Sequence, residues 1–257
     1  TPLYSSAASD VYKRQGIAEG SKIDYEKVLF MNFFEELDPN EPPASCCTAF
    51  GATGGATKDG GVYHAKTSDL SPLSYPYSIP GEIVPDRGVR FLYNGGGGGP
   101  GRIGLEYGLN EAGLSVGGAS VWKVADCVWE VGVPLIIMNR LVLQNCRNVD
   151  EAVDFISSHI IANRGGNIMY ADKKGNLAVV EKSHSHQAVR YSEDGLLVCT
   201  NNFKHSTMKR HEHPSVQSGE WLKNSELRFN RAIRLLRDMK GSLDREKFKM
   251  IIRDHEN

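Results

Sequence analysis

Apolar positions along the chain change their spacing several times, and each change predicts an element. Val28, Leu29, Phe30, Phe33 and Phe34 give residues Gly16 to Leu37 a helical period, with Ser21 or Asp24 placed to cap it. Pro39, Pro42 and Pro43 exclude helix between Asp38 and Ser45, which reads as an exposed loop. A β-type run from Cys47 to Thr53, a turn from Gly54 to Gly61 and a second run from Gly61 to Lys66 read as a hairpin. Glu106 to Val121 reads as strand, turn and strand, with Asn110 to Gly113 in the turn. Two helices come next, Pro134 to Cys146 and Val149 to His159, the second opened by Asn148 with Glu151 at capping-box spacing. Further strands are predicted at Asn167 to Ala171, Leu177 to Lys182, Ala188 to Tyr191 and Leu196 to Thr200. Asn224 to Met239 is the most regular helix, with Leu227, Ala232, Leu235, Leu236 and Met239 on one side and Arg228, Arg231, Arg234 and Arg237 among the remainder. Strands in antiparallel pairs and helices in separate blocks predict an α+β fold of helix layers against sheets.

The two ends fit this pattern poorly. The first fifteen residues, ending DVYKRQ, carry no amphipathic period into the helix after them and resemble translated adapter sequence; residues 1–15 are expected to be a non-native leader. At the other end, an apolar-periodic helix beginning near Asp244 runs up to the last residues, so the chain is expected to be incomplete at both termini.

A chain of 257 residues can bury a large core without disulfides, and 40% hydrophobic with 24% charged residues is the mix of a soluble globular protein. A net charge of -1 without a dense Lys/Arg run argues against a nucleic-acid partner. The longest apolar stretch, near Val131 to Met138, falls far short of the ~20 residues of a membrane span. Cys46, Cys47, Cys127, Cys146 and Cys199 are odd in number and scattered, which fits a reducing compartment and a cytoplasmic location. The run Asn94 to Gly101 lacks the Lys-Ser/Thr and the strand-to-helix frame of a phosphate cradle and reads as a flexible loop. His184 with His186 and His211 with His213 are i, i+2 pairs that, with His205, could gather a metal. No cysteine or paired carboxylate completes a ligand spacing, and Lys182, Lys204, Lys209 and Arg210 lie among them, so they read as surface residues and no metal or cofactor is expected.

Chemistry concentrates at Cys46-Cys47, where the proline-rich loop enters a strand. No Cys-x-x-Cys or papain-like signature supplies a base, and a buried inert cysteine is the plainer reading of either residue. One economical base is the cysteine's own α-amine after a cut before it. With a pKa of ~7.7, roughly a third of it is neutral near pH 7.4, against ~0.1% for a lysine at ~10.4.

The residues around this pair change the balance. Cys47-Thr48-Ala49-Phe50, Ala56 to Gly60 and Ala65-Lys66-Thr67-Ser68-Asp69 resemble the opening of N-terminal-nucleophile (Ntn) amidohydrolases of the acyl-CoA:6-aminopenicillanic acid acyltransferase-like family, relatives of bile-salt hydrolase, penicillin V acylase and acid ceramidase. Gly16 to Gly20, Gly108 to Leu114, Glu181, Thr200 to Phe203, Ser225 to Arg228 and the closing Ile251 to Asn257 agree in order, so the resemblance covers residue 16 onward. It implies an αββα sandwich, with residues 16–46 as a propeptide-like segment and 47–257 as the hydrolase domain. It also implies self-cleavage between Cys46 and Cys47, with Cys47 as nucleophile acting on a small-molecule linear amide or thioester through an acyl-enzyme. Asp69 would orient the new amino terminus, Asn201 would donate to the tetrahedral intermediate, and Arg228 would pair with a carboxylate near the nucleophile.

Three departures stand out. Cys46 occupies the place of a glycine; were it the nucleophile, the following Thr and the interval to Asp69 would fit worse. Lys66 and Thr67 stand where relatives often carry Arg or Gln and Asn; Lys66 is expected to meet substrate as a point charge. Ser120 replaces an oxyanion-hole asparagine, leaving the second donor open. The alternative to an enzyme is an unprocessed, non-catalytic binding relative of the same fold. The acyl chain, the acceptor and the oligomeric state are not legible in the sequence.

Overall fold

The computed structural model describes residues 2–37, 46–69, 76, 78–94, 102–126, 132–162 and 164–256. The proline-rich loop, the run 95–101 and Cys127 lie outside them.

Strands β1 (Cys46–Gly54) and β2 (Gly60–Asp69) form the expected hairpin, with Cys47 opposite Ser68 and Phe50 opposite Ala65. Gly54 and Gly60 take positive φ at its turn, a conformation side chains resist. Strand β10 (Leu196–Cys199) pairs with the other edge of β1, completing a three-stranded sheet with β1 central. The second sheet has seven antiparallel strands in chain order: β3 (Pro80–Ile83), β4 (Phe91–Asn94), β5 (Tyr107–Asn110), β6 (Leu114–Val121), β7 (Gly165–Asp172), β8 (Leu177–Lys182) and β9 (Gln187–Tyr191).

The period-2 alternation of a strand decides what each face meets. In β1 and β10, Phe50, Ala52, Leu196 and Val198 pack against Leu236, Leu243, Phe248 and Ile251, on or beside helices α6 (Glu220–Asp238) and α7 (Arg245–Ile252). Their alternates Ala49, Leu197 and Cys199 meet Met169, Ala171, Leu177 and Val179 between the sheets. In β7 and β8, Ile168, Tyr170, Ala178 and Val180 turn the other way, onto helices α3 (Leu135–Asn145) and α4 (Val149–Ser157). The layers therefore run helix, sheet, sheet, helix: the αββα sandwich. Burial of each large apolar side chain such as Phe50 or Phe91 contributes about 1.5–3 kcal/mol.

The capping box forms as expected: Asn148 Oδ1 accepts from Glu151 N at 3.0 Å, and Glu151 Oε2 accepts from Arg147 N at 2.8 Å. The N-terminal helix differs from expectation. Two helices, α1 (Pro2–Ser21) and α2 (Tyr25–Leu37), replace one, and the break falls at Lys22, whose φ is +59°. The boundary placed at residue 15 thus lies inside a helix. Ser21 bonds back to Ile17 O at 2.6 Å instead of capping. Asn32 Oδ1 accepts from Ile103 N at 2.8 Å, and Arg102 Nε donates to Met31 O at 3.2 Å, tying α2 to the segment before β5. The helix expected to run out at the end instead stops at Ile252. The short strands β3 and β4, helix α5 (Ser206–Lys209) and a 3-10 turn at Pro214–Val216 carry too few residues to show a period. Among the described residues no helix is long and apolar enough to cross a membrane.

Candidate active site

Adjacent residues of a strand face opposite ways, so Cys46 and Cys47 part company. Cys47, on the Ala49 side, is buried between the sheets at 6% exposure. Cys46 faces α6, its Sγ 3.5 Å from Asn224 Oδ1. Of the pair, the Cys47 thiol is the one that faces the space between the sheets.

The backbone of Cys47 is held at both ends. Its N–H donates to Asn201 Oδ1 at 2.8 Å, and its carbonyl accepts from Arg228 Nη1 at 2.5 Å. Arg228, on α6, also donates from Nη1 to Thr48 Oγ1 and from Nη2 to Asn201 Oδ1, both at 2.9 Å, and from Nε to Asn224 Oδ1 at 2.8 Å. A guanidinium only donates, so this contact fixes which end of the Asn201 amide is oxygen. Asn201 Nδ2 then donates one hydrogen to Ser120 O at 2.8 Å and keeps a second. The fold thus brings Cys47, Asn201, Arg228 and Ser120 together, with Ser120 contributing its carbonyl. Arg228 meets carbonyl, hydroxyl and amide oxygens here, where a carboxylate partner was expected.

Asp69 stands on the Arg228 side of this group, on the opposite face of the hairpin from the Cys47 thiol. It pairs in register with Cys46 at the end of β2 and is exposed. Its alternation puts it on the α6–α7 side, in a hollow of about 210 Å³ shared with Thr48, Thr67, Arg228 and Asp254. Burial pushes the Cys46 thiol up and Arg228 draws it down, with the Asp69 charge adding a smaller upward push there and a minor one at Cys47.

Lys66 lies on the interior face with Cys47, bound to a partner the sequence did not reveal. Its Nζ is 2.5 Å from Glu106 Oε2, which also accepts from Ser68 Oγ at 2.7 Å, and lies 5.2 Å from the centre of the Tyr107 ring. Burial works against the Lys66 charge, but Cys47 whenever its sulfur is ionised, and Glu106 through charge and hydrogen bond, outweigh it and raise the ammonium above its usual range. Burial likewise pushes the Cys47 thiol up; Lys66 draws it down and Glu106 opposes Lys66. The resting thiol is therefore protonated, and would need a base to act as a nucleophile. His64 does not serve: it stands opposite Gly51, four residues or about 13 Å along the strand from Cys47. It bonds Ser115 Oγ at 2.9 Å, and burial, then the nearby Lys66, lowers its pKa to about 4. A cavity of about 790 Å³ opens between β2 and the large sheet, lined by Val62, His64, Lys66, Leu92, Leu109 and Val116 among others.

The segment carrying Asn201 is clamped by three carboxylates: Glu181 and Glu226, which the sequence marked only as parts of family blocks, and Glu212, which it did not mark at all. Glu181, fully buried, accepts from Lys204 N and His205 N, both at 2.9 Å, and from Arg190 Nε at 2.5 Å. Glu212 accepts from Phe203 N. Glu226 accepts from Asn202 Nδ2 at 2.8 Å and pairs with Lys204 Nζ at 2.6 Å. Burial is the main reason Glu212 titrates near 7.

The histidine pairs are each split. His184 Nδ1 contacts Ile161 O, while His205 and His213 cap the turns that begin beside them. His186 and His211 instead meet at Asp126, away from the Cys47 cluster.

Residues 56–257 match the model of the family described as acyl-coenzyme A:6-aminopenicillanic acid acyl-transferase. That span includes Lys66, Asp69, Asn201 and Arg228 and begins nine residues after Cys47. No curated protein sequence matches the chain. Among solved structures, the Caenorhabditis elegans N-acylethanolamine-hydrolyzing acid amidase ortholog superposes with a TM-score of 0.58 at 18% identity, covering 82% of this chain and 87% of that one. A variant of conjugated bile acid hydrolase from Clostridium perfringens gives 0.53 at 17% identity, covering 80% and 78%. At these identities the likeness is one of fold.

Proposed function

Since the chain belongs to the acyl-coenzyme A:6-aminopenicillanic acid acyl-transferase family, whose members carry the Ntn-hydrolase fold, we propose that it is a self-processing cysteine amidohydrolase. The observation that carries this reading is the Cys47 nitrogen, 2.8 Å from Asn201 Oδ1, on a residue whose thiol faces the gap between the sheets. That nitrogen is an amide here and becomes the base once the bond before it is cut.

In processing, Cys47 Sγ attacks the Cys46 carbonyl carbon, the peptide nitrogen leaves as the Cys47 α-amine with the thiol's proton, and water hydrolyses the thioester. A Cys46 carboxylate and a free Cys47 thiol result. In turnover, the amine, oriented by Asn201 Oδ1 and by Asp69 across the hairpin end, takes the thiol proton as sulfur attacks the substrate carbonyl. The second hydrogen of Asn201 Nδ2 is directed to the developing oxyanion, while Arg228 holds both Asn201 and the Cys47 carbonyl in place. The amine returns its proton to the leaving nitrogen, and the acyl thioester passes to water, or to an acceptor amine. Hydrolysis is the expected route, because water needs no second pocket. The substrate is a small linear acyl amide or thioester, its acyl part in the cavity beside β2, where Lys66, paired with Glu106 behind it, forms part of the wall.

Intact mass measures this directly. Wild-type protein should yield a piece of 211 residues beginning at Cys47 (257 minus 46), and Cys47→Ala should remain one chain. An unprocessed wild type inert toward iodoacetamide would support a binding protein of the same fold instead. Assay against N-acyl amino acids, acyl-homoserine lactones, penicillin V and bile-salt conjugates then sorts the acyl class.

A further inference from the structure

Three segments distant in sequence converge at the end of the large sheet beyond Ser120. They are residues 122–126 after β6, the turn 183–186 between β8 and β9, and residue 211 after α5. Backbone bonds dock the first on the third: Ala125 N donates to His211 O at 2.7 Å and His213 N to Lys123 O at 3.1 Å. At the junction one donor atom each from Asp126, His186 and His211 lies within 4.8 Å of the others. The two imidazoles are stacked, with centroids 3.9 Å apart. Asp126 Oδ2 is crowded with donors, accepting from Ser183 Oγ at 2.7 Å, Ser185 Oγ at 2.9 Å and Ser185 N at 3.1 Å, and meeting His186 Nδ1 at 2.9 Å. Asp126 Oδ1 is buried with no partner among the described residues. A buried carboxylate oxygen left bare costs free energy unless something positive meets it.

We propose that Asp126, His186 and His211 bind one divalent transition-metal ion, with Zn²⁺ the best fit to two imidazoles and a carboxylate. The ion meets the bare Asp126 Oδ1 and displaces the proton of His186 that now faces the carboxylate, and solvent fills the fourth position on the exposed His186 side. Ser183 and Ser185 then orient the carboxylate from behind. Arg210 Nε lies 3.2 Å from His211 Nε2, a contact that must open when the ion binds, because an imidazole ligating through Nδ1 carries its proton on Nε2. The ion clasps the loop that leaves β6 to the β8–β9 turn and to the segment after α5. It stands outside the Cys47 chemistry, so the proposal is independent of the function argued above.

The test uses the 257-residue chain freed of metal by chelation and dialysis. Zinc titrated calorimetrically should bind one per chain and raise Tm, since a ligand bound only by the folded state stabilises it. His186→Ala and His211→Ala should each weaken binding by roughly tenfold or more, and His184→Ala should not. Co²⁺ in the wild type should give visible bands without the intense near-ultraviolet thiolate absorption, a readout that excludes cysteine ligation without any variant. Absence of binding, a thiolate band, or zinc retained by the His186→Ala/His211→Ala double variant would overturn the proposal.

Discussion

The two sheets divide the labour of the molecule. The large sheet pairs seven strands in chain order and owns the largest core, where Phe91, Leu114, Ile168 and Tyr170 bury against α3 and α4. The small sheet has three strands of which β10 comes from far along the chain, and it leans on α6 and α7 for its own core. The side chains that hydrogen-bond the Cys47 backbone come from helix α6 and from the segment just after β10, and the large sheet contributes a carbonyl from Ser120 and the cavity wall. A precise site thus rests on the thinner layer, braced by the thicker one.

Substitutions should separate the layers, beginning with the largest effect. Cys47→Ala is expected to abolish both self-cleavage and turnover while the melting curve is kept, read by intact mass, assay and circular dichroism. Phe91→Ala in the large sheet should cost about 3–5 kcal/mol in urea unfolding, with kcat unchanged in the fraction that remains folded. Its opposite is Asn201→Ala, which should lower kcat by about 100- to 1,000-fold as an oxyanion donor is lost. Equal losses of stability in these two variants would erase the division.

A subtler contrast concerns the clamp under Asn201. Glu212 titrates near 7 in the fold, above the 4.5 of a free glutamate, mainly through burial; Glu181 and Glu226 push the same way while Phe203 N–H and Lys204 oppose. A raised carboxylate favours the fold in its protonated form. Its contribution is therefore whole below about pH 4.5 and fades as pH climbs through 7. Glu212→Gln keeps an acceptor for Phe203 N–H and should lose less stability than wild type between pH 5 and pH 8, by about 1–3 kcal/mol. Identical pH profiles would mean that Glu212 stays ionised. The smallest effect is expected at Cys46→Ala, whose thiol faces α6: processing and turnover should continue, and their loss would exchange the roles of the two cysteines.

How much of this was legible in the sequence depends on the range of the interactions. Strands β1, β2 and β5 to β10 announce themselves through alternation and glycine turns, and the Asn148–Glu151 box through spacing, because both are local. Strands β3 and β4 span four residues each at one end of the large sheet, too short for a period to register. Cys47, Asn201 and Arg228 were identifiable by resemblance, and the fold assembles them. Asp69 lies on the other face of the hairpin from the Cys47 thiol, a separation that strand parity implies but spacing alone hides. Glu106 went unnoticed because its partner Lys66 is 40 residues away, and a charge pair at that separation leaves no pattern. The Asp126–His186–His211 meeting escaped for the same reason: each i, i+2 pair sends one ring to the junction and the other elsewhere.

Helix α2 grips the body through Asn32 and Arg102, two side chains spanning a junction that scission at residue 46 would turn from one chain into two. Before the cut the tether keeps this leader at high effective concentration whatever the strength of its contacts; afterwards dilution can remove it. Processing would thus convert the first 46 residues from a part of the architecture into a dissociable ligand of it, and the duration of its stay would set how soon a new enzyme meets its first substrate.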